Sequence, residues 1–416
     1  MLLLAHPTGN ANVRAAALAL YAAGWLQELD SCICWNPESA WAPILPPSLA
    51  ALLQRRVFPG IPAQVLHSHP WRELLRLAGV GRLLPWLQRH EHGPLAIDAI
   101  YRSFDRHVAA RLPRIPGVQA VYAYEDGALH IFEAAQSLGL RCIYDLPIGY
   151  WRAAQQIFAQ ERELVPDWAC TLTGLADSAG KLRRKDEELA LADAVTVASG
   201  FVRSTLQSHQ ACTAPIHVVP YGSPPPIAHL PPARASHEPL KVIYVGSLGQ
   251  RKGLSYALEA IDSLSSSVRL TLIGRPTTSH CAPLNAAMQR HPWMASLPHA
   301  QILEQMRQHD VLLFPTLFDG FGLVITEALS QGLPVITTAH SGAPECISDG
   351  VEGFIVPIRD SQAIAERLQQ LADNREQLAA MRQACLRRAA ELSWAGYENG
   401  LLQAVVQALQ QHPQPA

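Results

Sequence analysis

The stretch VLLFPTLFDGFGLVITEALSQGLPVITT, Val311 to Thr338, decides the fold. A strand-length apolar run, 311–316, meets a loop at Leu317–Gly320. A helical pattern follows from about Phe321 to Gln331, stopped by Gly332 and Pro334, and VITT starts a second strand. Strand, helix and strand in that order make the repeating unit of a parallel sheet. The rhythm recurs in LLLA with VRAAALALYAAG and in KVIYVG with LSYALEAIDSL, so the chain reads as α/β.

A chain of 416 residues exceeds what one hydrophobic core usually serves, and two domains are expected. The break falls in GSPPPIAHLPPARASHEP, where five prolines in the first eleven positions erase any hydrophobic period. The expected division is therefore 1–222, a Pro-rich linker at 223–239, a second domain at 240–392, and a C-terminal helix within 393–416. That helix gathers Leu401, Leu402, Val405, Val406 and Leu409 on one apolar face, whose packing partner the sequence does not identify.

Composition excludes several classes. With 33 Lys plus Arg against 35 Asp plus Glu, the net charge of -2 gives no global field to recruit nucleic acid. Eight scattered cysteines, mostly in apolar surroundings, read as buried thiols of a reducing compartment. The opening MLLLAHPTGN lacks a basic region and a long apolar run, so a secretory leader is not expected. No window approaches the roughly 20 apolar residues of a membrane span. A cytoplasmic protein is the expectation.

Within the apolar stretch, Asp319 and Glu327 need a reason, because burying a charge is costly without a partner. Asp319 falls beyond the carboxyl end of a strand, where ligands of such sheets bind. The amides of Gly320, Phe321, Gly322 and Leu323 lie at the start of a helix and suit an anionic phosphate. Glu327, less than two turns on, is placed to accept ribose hydroxyls. After KVIYVG a second loop, SLGQRKG, puts Arg251 and Lys252 at another strand's carboxyl end, where they can neutralise a diphosphate. The bland alternatives are a solvated Arg-Lys turn, a helix-capping Asp319 and a Glu327 paired with a surface cation. They explain each residue alone but not the combination.

The segment from Asp319 through GFGLVIT to Glu327, the following ALSQGLPVITTAHSGAPECISDGVEGFIVP, and VGSLGQRKG together resemble retaining glycosyltransferases of family 4. HPTGNANVRAAALALYAAG, ADAVTVASGFVRSTL and HVVPYGS match the first half of that family more loosely. The resemblance implies the GT-B fold, two Rossmann-like doubly wound domains facing across a cleft. It further implies a nucleoside-diphosphate sugar as substrate and no metal or other cofactor. Arg251 and Lys252 would hold the diphosphate, Glu327 the ribose, and Asp319 the transferred sugar, with backbone contacts from Gly320, Phe321, Gly322 and Leu323. The family's first acid is usually Glu, and here it is Asp319. The absence of any Asp-x-Asp pair agrees with metal-free transfer.

Acceptor recognition then falls to the N-terminal half. Gly9 in the first strand-to-helix loop permits close approach to the donor, and Asn10 and Asn12 flank it; an ordinary turn and helix cap explains them equally well. Where the family often carries a histidine, VYAYEDGAL offers Glu125 and Asp126, and Asp145 follows the strand-like RCIYD. The acceptor that the resemblance implies is a glycan, lipid or small molecule. HPWRELLRLAGVGRLLPWLQRH, 69–90, interleaves Trp71, Leu74, Leu75, Leu83, Leu84, Trp86 and Leu87 with Arg72, Arg76, Arg82 and Arg89. It suits peripheral contact with an anionic inner-membrane surface, or a core helix with snorkelling arginines. His67, His69, His90 and His92 alternate without acid or Cys partners at ligand spacing and read as loop histidines. Rival readings are a nucleotide-sugar epimerase on the same fold and a non-catalytic partner subunit. A dinucleotide oxidoreductase lacks its Gly-x-Gly-x-x-Gly fingerprint.

Overall fold

The computed structural model describes residues 1–39, 44, 47–80, 84–232, 237–264 and 267–410. Among them, seven strands form a first parallel sheet: β1 Leu2–Ala5, β2 Leu26–Ser31, β3 Leu66–Ser68, β4 Ala120–Tyr124, β5 Arg141–Leu146, β6 Ala194–Val197 and β7 Ile216–Val218, in the order β3-β2-β1-β4-β5-β6-β7. Six more form a second: β8 Leu240–Val245, β9 Val268–Ile273, β10 Trp293–Met294, β11 Val311–Phe314, β12 Val335–Thr338 and β13 Gly353–Val356, in the order β10-β9-β8-β11-β12-β13. Apart from Lys241 in β8, the central strands β1, β4, β8 and β11 are apolar and almost wholly buried, as strands covered by helices on both faces must be.

Both sheets grow outward from one strand and then restart on its other side. The chain reverses between β1 and β4 in the first sheet, and between β8 and β11 in the second. Such switch points open a crevice beyond the carboxyl ends of the strands.

The deciding stretch differs from its sequence reading at both ends. The ladder stops at Phe314, because Pro315 has no N–H to continue it. The helix begins at Leu323, two residues later than expected, since Gly322 takes a left-handed backbone (φ 83°) before the helical turn can start. Four residues at Asp319–Gly322 thereby stay in an open loop.

The crossing between the sheets is tied down along its length. Ser223 Oγ donates to the Thr326 carbonyl at 3.0 Å, Ser223 N to the Leu392 carbonyl at 2.6 Å, and Ile227 N to the Ser330 carbonyl at 2.9 Å. Residues 233–236 of the Pro-rich stretch lie outside the described residues. The C-terminal helix Trp394–Gln410 returns to the first domain and packs on helix Ala11–Ala22, burying Tyr397, Leu401, Ala404, Val405 and Ala408. Its face runs through the alanines, with Leu402, Val406 and Leu409 only half-buried.

Candidate functional site

At the switch point of the second sheet, Val245 ends β8, Gly246 follows it, and Phe314 ends β11. These three residues line a cavity of about 240 Å³ together with Lys252, Asp319, Phe321, Gly322, Leu323 and Val324. Pro147 and Tyr221 of the first domain close it from the other side. The first amides of helix Leu323–Ser330, those of Leu323 and Val324, have no acceptor within the helix and no side-chain cap. The cavity therefore holds one end of a helix dipole, positive toward the opening.

Lys252 sits in a short turn, Gln250–Lys252, that ends at Gly253 in a left-handed conformation (φ 69°). A Cβ there would lie 1.9 Å from the Pro315 carbonyl oxygen, so only glycine lets the turn approach the loop that follows β11. This approach brings the Lys252 ammonium onto the Asp319 carboxylate as an ion pair, with Nζ 4.7 Å from the centre of the Phe314 ring. Burial pushes the Lys252 pKa down to about 8, against the pull of Asp319, with Arg251 adding to the depression. For Asp319, burial works to raise the pKa, but the charges of Lys252 and Arg251 and the hydrogen bonds from Lys252 and Gly320 N hold it below the ordinary carboxylate value. Both groups are charged at neutral pH, and each is the other's partner where no anion or hydroxyl replaces it.

Three expected members of the site stand elsewhere. Arg251 is half-buried and donates to the Phe318 carbonyl at 3.0 Å; it is not among the residues lining the cavity, but its charge acts on both Lys252 and Asp319. Glu327 lies one turn along the helix on the same face as Leu323, outside the cavity lining, and accepts from or shares a proton with His299 Nε2 at 2.9 Å. That hydrogen bond raises the His299 pKa. The Gly320 amide donates to its neighbour's Asp319 Oδ1 at 2.8 Å, and the Gly320 carbonyl accepts from Ser199 Oγ at 2.6 Å. A Cβ on Gly320 would lie 1.7 Å from the Pro147 carbonyl oxygen. Gly320 is thus a close contact between the domains, and its amide is already used. Phe321, Gly322, Leu323 and Val324 line the cavity, and Gly320 does not.

The first domain's acids are spent internally. Glu125 pairs with Lys185 at 3.0 Å, and Asp126, with φ 71°, pairs with Arg184 at 3.3 Å and Lys185 at 3.5 Å. Burial raises the Glu125 pKa against the Lys185 charge. Asp145 lies under the β4–β5 surface and accepts from Tyr122 OH at 2.6 Å. Burial pushes its pKa up to about 7, with the Tyr122 and Thr196 hydroxyls opposing. Asn12 is buried and donates to Tyr221 OH at 3.2 Å, so it orients a wall residue of the cavity. Asn10 is exposed and makes no side-chain cap. Gly9 is buried, and its Cβ position would face the Phe58 ring at 3.0 Å. Neither Gly9 nor Asn10 lines the cavity.

Sequence reasoning passed over His6. It directly follows β1 at the first sheet's own switch point, with its ring edge-on to Tyr124 at 4.4 Å and its Nδ1 accepting from Thr8 N at 2.9 Å. Burial pushes its pKa down to about 4, the Thr8 backbone contact opposing and Arg56 adding to the fall. A histidine immediately after the first strand was the available signal.

Volume alone would choose a different place. A cavity of about 650 Å³ is lined by Lys241, Arg269, Arg290 and His291, among others. It opens by the amino-terminal ends of β8 and β9, away from where open α/β sheets bind ligands. His90, Glu91 and Asp177 offer ligand atoms within 4.8 Å of one another. Their acids are already engaged, Glu91 by Ser178 N at 2.7 Å and Asp177 by Lys181 at 3.0 Å. His69 stacks on His107 at 4.2 Å. Five cysteines are buried, Cys34 and Cys212 are half-buried, and Cys170 is exposed, against the expectation for a buried thiol. No helix among the described residues is long and apolar enough to cross a membrane.

Residues 229–388 match the family model of glycosyl transferases group 1. Among curated proteins, the amylovoran biosynthesis glycosyltransferase AmsK of Erwinia amylovora is 30% identical over 172 residues, 38% of this chain and 42% of that protein. The D-inositol 3-phosphate glycosyltransferase of Mycolicibacterium smegmatis is 28% identical over 188 residues, 42% of this chain and 43% of that protein. The matched region spans less than half of either relative. Among solved structures, sucrose-phosphate synthase from Thermosynechococcus elongatus superposes with a TM-score of 0.69 at 18% identity, covering 98% of both chains. Anabaena HepE, solved with UDP and glucose, gives 0.63 at 15%, covering 98% of this chain and 99% of that one. The fold is therefore the two-domain α/β architecture of GT-B glycosyltransferases, and its second domain carries the glycosyl transferases group 1 signature.

Proposed function

We propose that this protein is a glycosyltransferase that moves a sugar from a nucleoside-diphosphate donor to an acceptor hydroxyl, with retention at the anomeric carbon and without a metal, in the manner of family 4. The observation that carries the reading is the cavity at the β8/β11 switch point, where Lys252, Asp319 and the first amides of helix Leu323–Ser330 converge. A pyrophosphate entering there meets a buried cation and a helix N-terminus, both placed where charge grows on a departing diphosphate. Asp319, released from Lys252 by that anion, is left to accept from sugar hydroxyls. Glu327, on the same helix face, takes the ribose in exchange for His299.

In the transfer, the bond from the anomeric carbon to the phosphate oxygen breaks and the bond to the acceptor oxygen forms on the same face. The acceptor's proton passes to the leaving phosphate oxygen. Asn12 and Tyr221 shape the acceptor side of the wall. AmsK is named for amylovoran biosynthesis; a glycan acceptor in polysaccharide assembly is the corresponding proposal here.

The protein acts in the cytoplasm and touches the inner membrane surface. Trp71 is 72% exposed and Trp86 62%, with Leu75 and Leu84 about half exposed beside them, more apolar area than a solvated edge needs. Helix Trp71–Leu77 puts Trp71 and Leu75 on one face, one turn apart. Arg82 and Leu83 of this segment lie outside the described residues. Flotation with vesicles containing anionic lipid should carry the wild type and lose a Trp71→Ser/Trp86→Ser variant; equal flotation would exclude the contact.

The transfer itself is tested by incubating the protein with a panel of labelled nucleotide sugars and glycan acceptors. The expected result is a labelled product with the donor's anomeric configuration, formed equally in the presence of a chelator. Donor consumption that needs no acceptor and yields an isomerised nucleotide sugar would instead identify an epimerase.

A further inference from the structure

The Gln250–Lys252 turn belongs to the second domain, yet two of the groups that hold Gln250 come from the first. Gln250 is fully buried, and its Nε2 donates to Glu161 Oε2 at 2.8 Å. Its backbone N donates to Thr171 Oγ1 at 2.9 Å. Glu161 lies on helix Trp151–Leu164 of the first domain and is itself fully buried. It also accepts from Tyr256 OH at 3.1 Å and pairs with the Arg359 guanidinium, both in the second domain. Arg359 makes this pair from a left-handed backbone, φ 66°, a conformation that costs a non-glycine residue energy and so needs compensating contacts.

The turn in its own right holds the loop before Asp319. Leu317 N and Phe318 N donate to the Arg251 carbonyl at 3.0 and 3.3 Å, and Arg251 Nη1 returns a bond to the Phe318 carbonyl. Hydrogen bonds on either side of the Gln250–Arg251 peptide link thus connect Glu161 to residue 318, next to the Lys252–Asp319 pair. Helix Trp151–Leu164 has no place in the cavity lining, so Glu161 touches neither proposed ligand.

We infer that Glu161 is a positioning residue through which the first domain sets the Gln250–Lys252 turn, making the donor site of the proposed transferase depend on closure of the two domains. A buried carboxylate that satisfies one cation and two neutral donors on the facing domain is well matched to this task. Its partners can rehydrate if the domains separate, whereas an apolar contact alone would leave the turn unregistered.

The inference rests on the functional reading only for its kinetic arm. Hydrogen exchange is compared in the full-length wild type, Glu161→Ala and Gln250→Ala; the second variant keeps the Glu161–Arg359 pair and guards against a helix that fails to fold. Both variants should exchange at least about tenfold faster over 248–256 and 316–320, with β4 and β5 unchanged. Faster exchange confined to 151–164, with 248–256 still protected, would overturn the inference. With the transferring donor, both variants should raise the donor KM at least about tenfold and leave the acceptor KM within about twofold. Equal rises in both constants would also overturn it. A wild type that transfers no sugar would refute the functional reading, while the exchange arm would still decide the role of Glu161.

Discussion

The two switch points of this molecule share a topology and differ in what fills them. At β8/β11 the chain leaves an ion pair, uncapped helix amides and an open cavity. At β1/β4 and the adjacent β5 it places His6, Tyr122, Tyr124, Glu125 and Asp145, and pairs or buries nearly all of them within the first domain. One half therefore keeps its charges in exchangeable pairs near a void, and the other fixes them in its core. Acidic residues at matching places in the sheet stand beside an open cavity in one domain and are tied into the scaffold in the other.

Substitutions that break this comparison should differ by orders of magnitude. Lys252→Ala removes the cation proposed to face the leaving group and should lower turnover roughly 10²–10³-fold; because it also strands the buried Asp319 carboxylate, the melting temperature should fall as well, so initial rates are read well below the thermal unfolding transition. Glu125→Gln, in contrast, should change turnover less than about threefold while weakening the Lys185 contact. Comparable losses in both would erase the distinction between the two crevices.

The pH dependence sharpens it. Because the Lys252 pKa is depressed to about 8, kcat/KM for the donor should fall about tenfold per unit once the pH passes that value, and Lys252→Arg should move the limb beyond the accessible range. A flat profile to pH 10 in the wild type would contradict the assignment of the cation.

Asp145 gives a stability effect of opposite character. Its folded pKa, about 7, is above the unfolded value, so it favours the folded state at low pH and that contribution is lost as the pH rises through 7. Asp145→Asn keeps an acceptor for Tyr122 and carries no charge. It should stabilise the protein at pH 8 by on the order of 4 kcal/mol and by under about 1 kcal/mol at pH 4, measured by denaturant unfolding. An equal gain at both pH values would mean that charge is not the cause.

The strand–helix rhythm, the proline break and the Lys252–Asp319 region could be read from sequence because each is a local pattern, complete within a few tens of residues. What escaped it depends on distant partners. Nothing near Glu125 announces Lys185, and nothing near Asp145 announces Tyr122, so buried acids looked like available ones. Gly320 read as a phosphate cradle because the Pro147 carbonyl that occupies its open side comes from the other domain. The C-terminal helix showed an apolar face without an address, and its destination, helix Ala11–Ala22, lies almost the whole chain away. Glu161 is one carboxylate among many in a polar helix until the fold places Gln250, Tyr256 and Arg359 around it.

The central claim is that the β8/β11 crevice grips a diphosphate. Calorimetric titration of UDP, GDP and ADP into the wild type and into Lys252→Ala tests it most directly. At least one nucleoside diphosphate should bind the wild type, with affinity falling at least about tenfold in the variant. Undiminished binding to Lys252→Ala, or no binding of any of the three to the wild type, would contradict it.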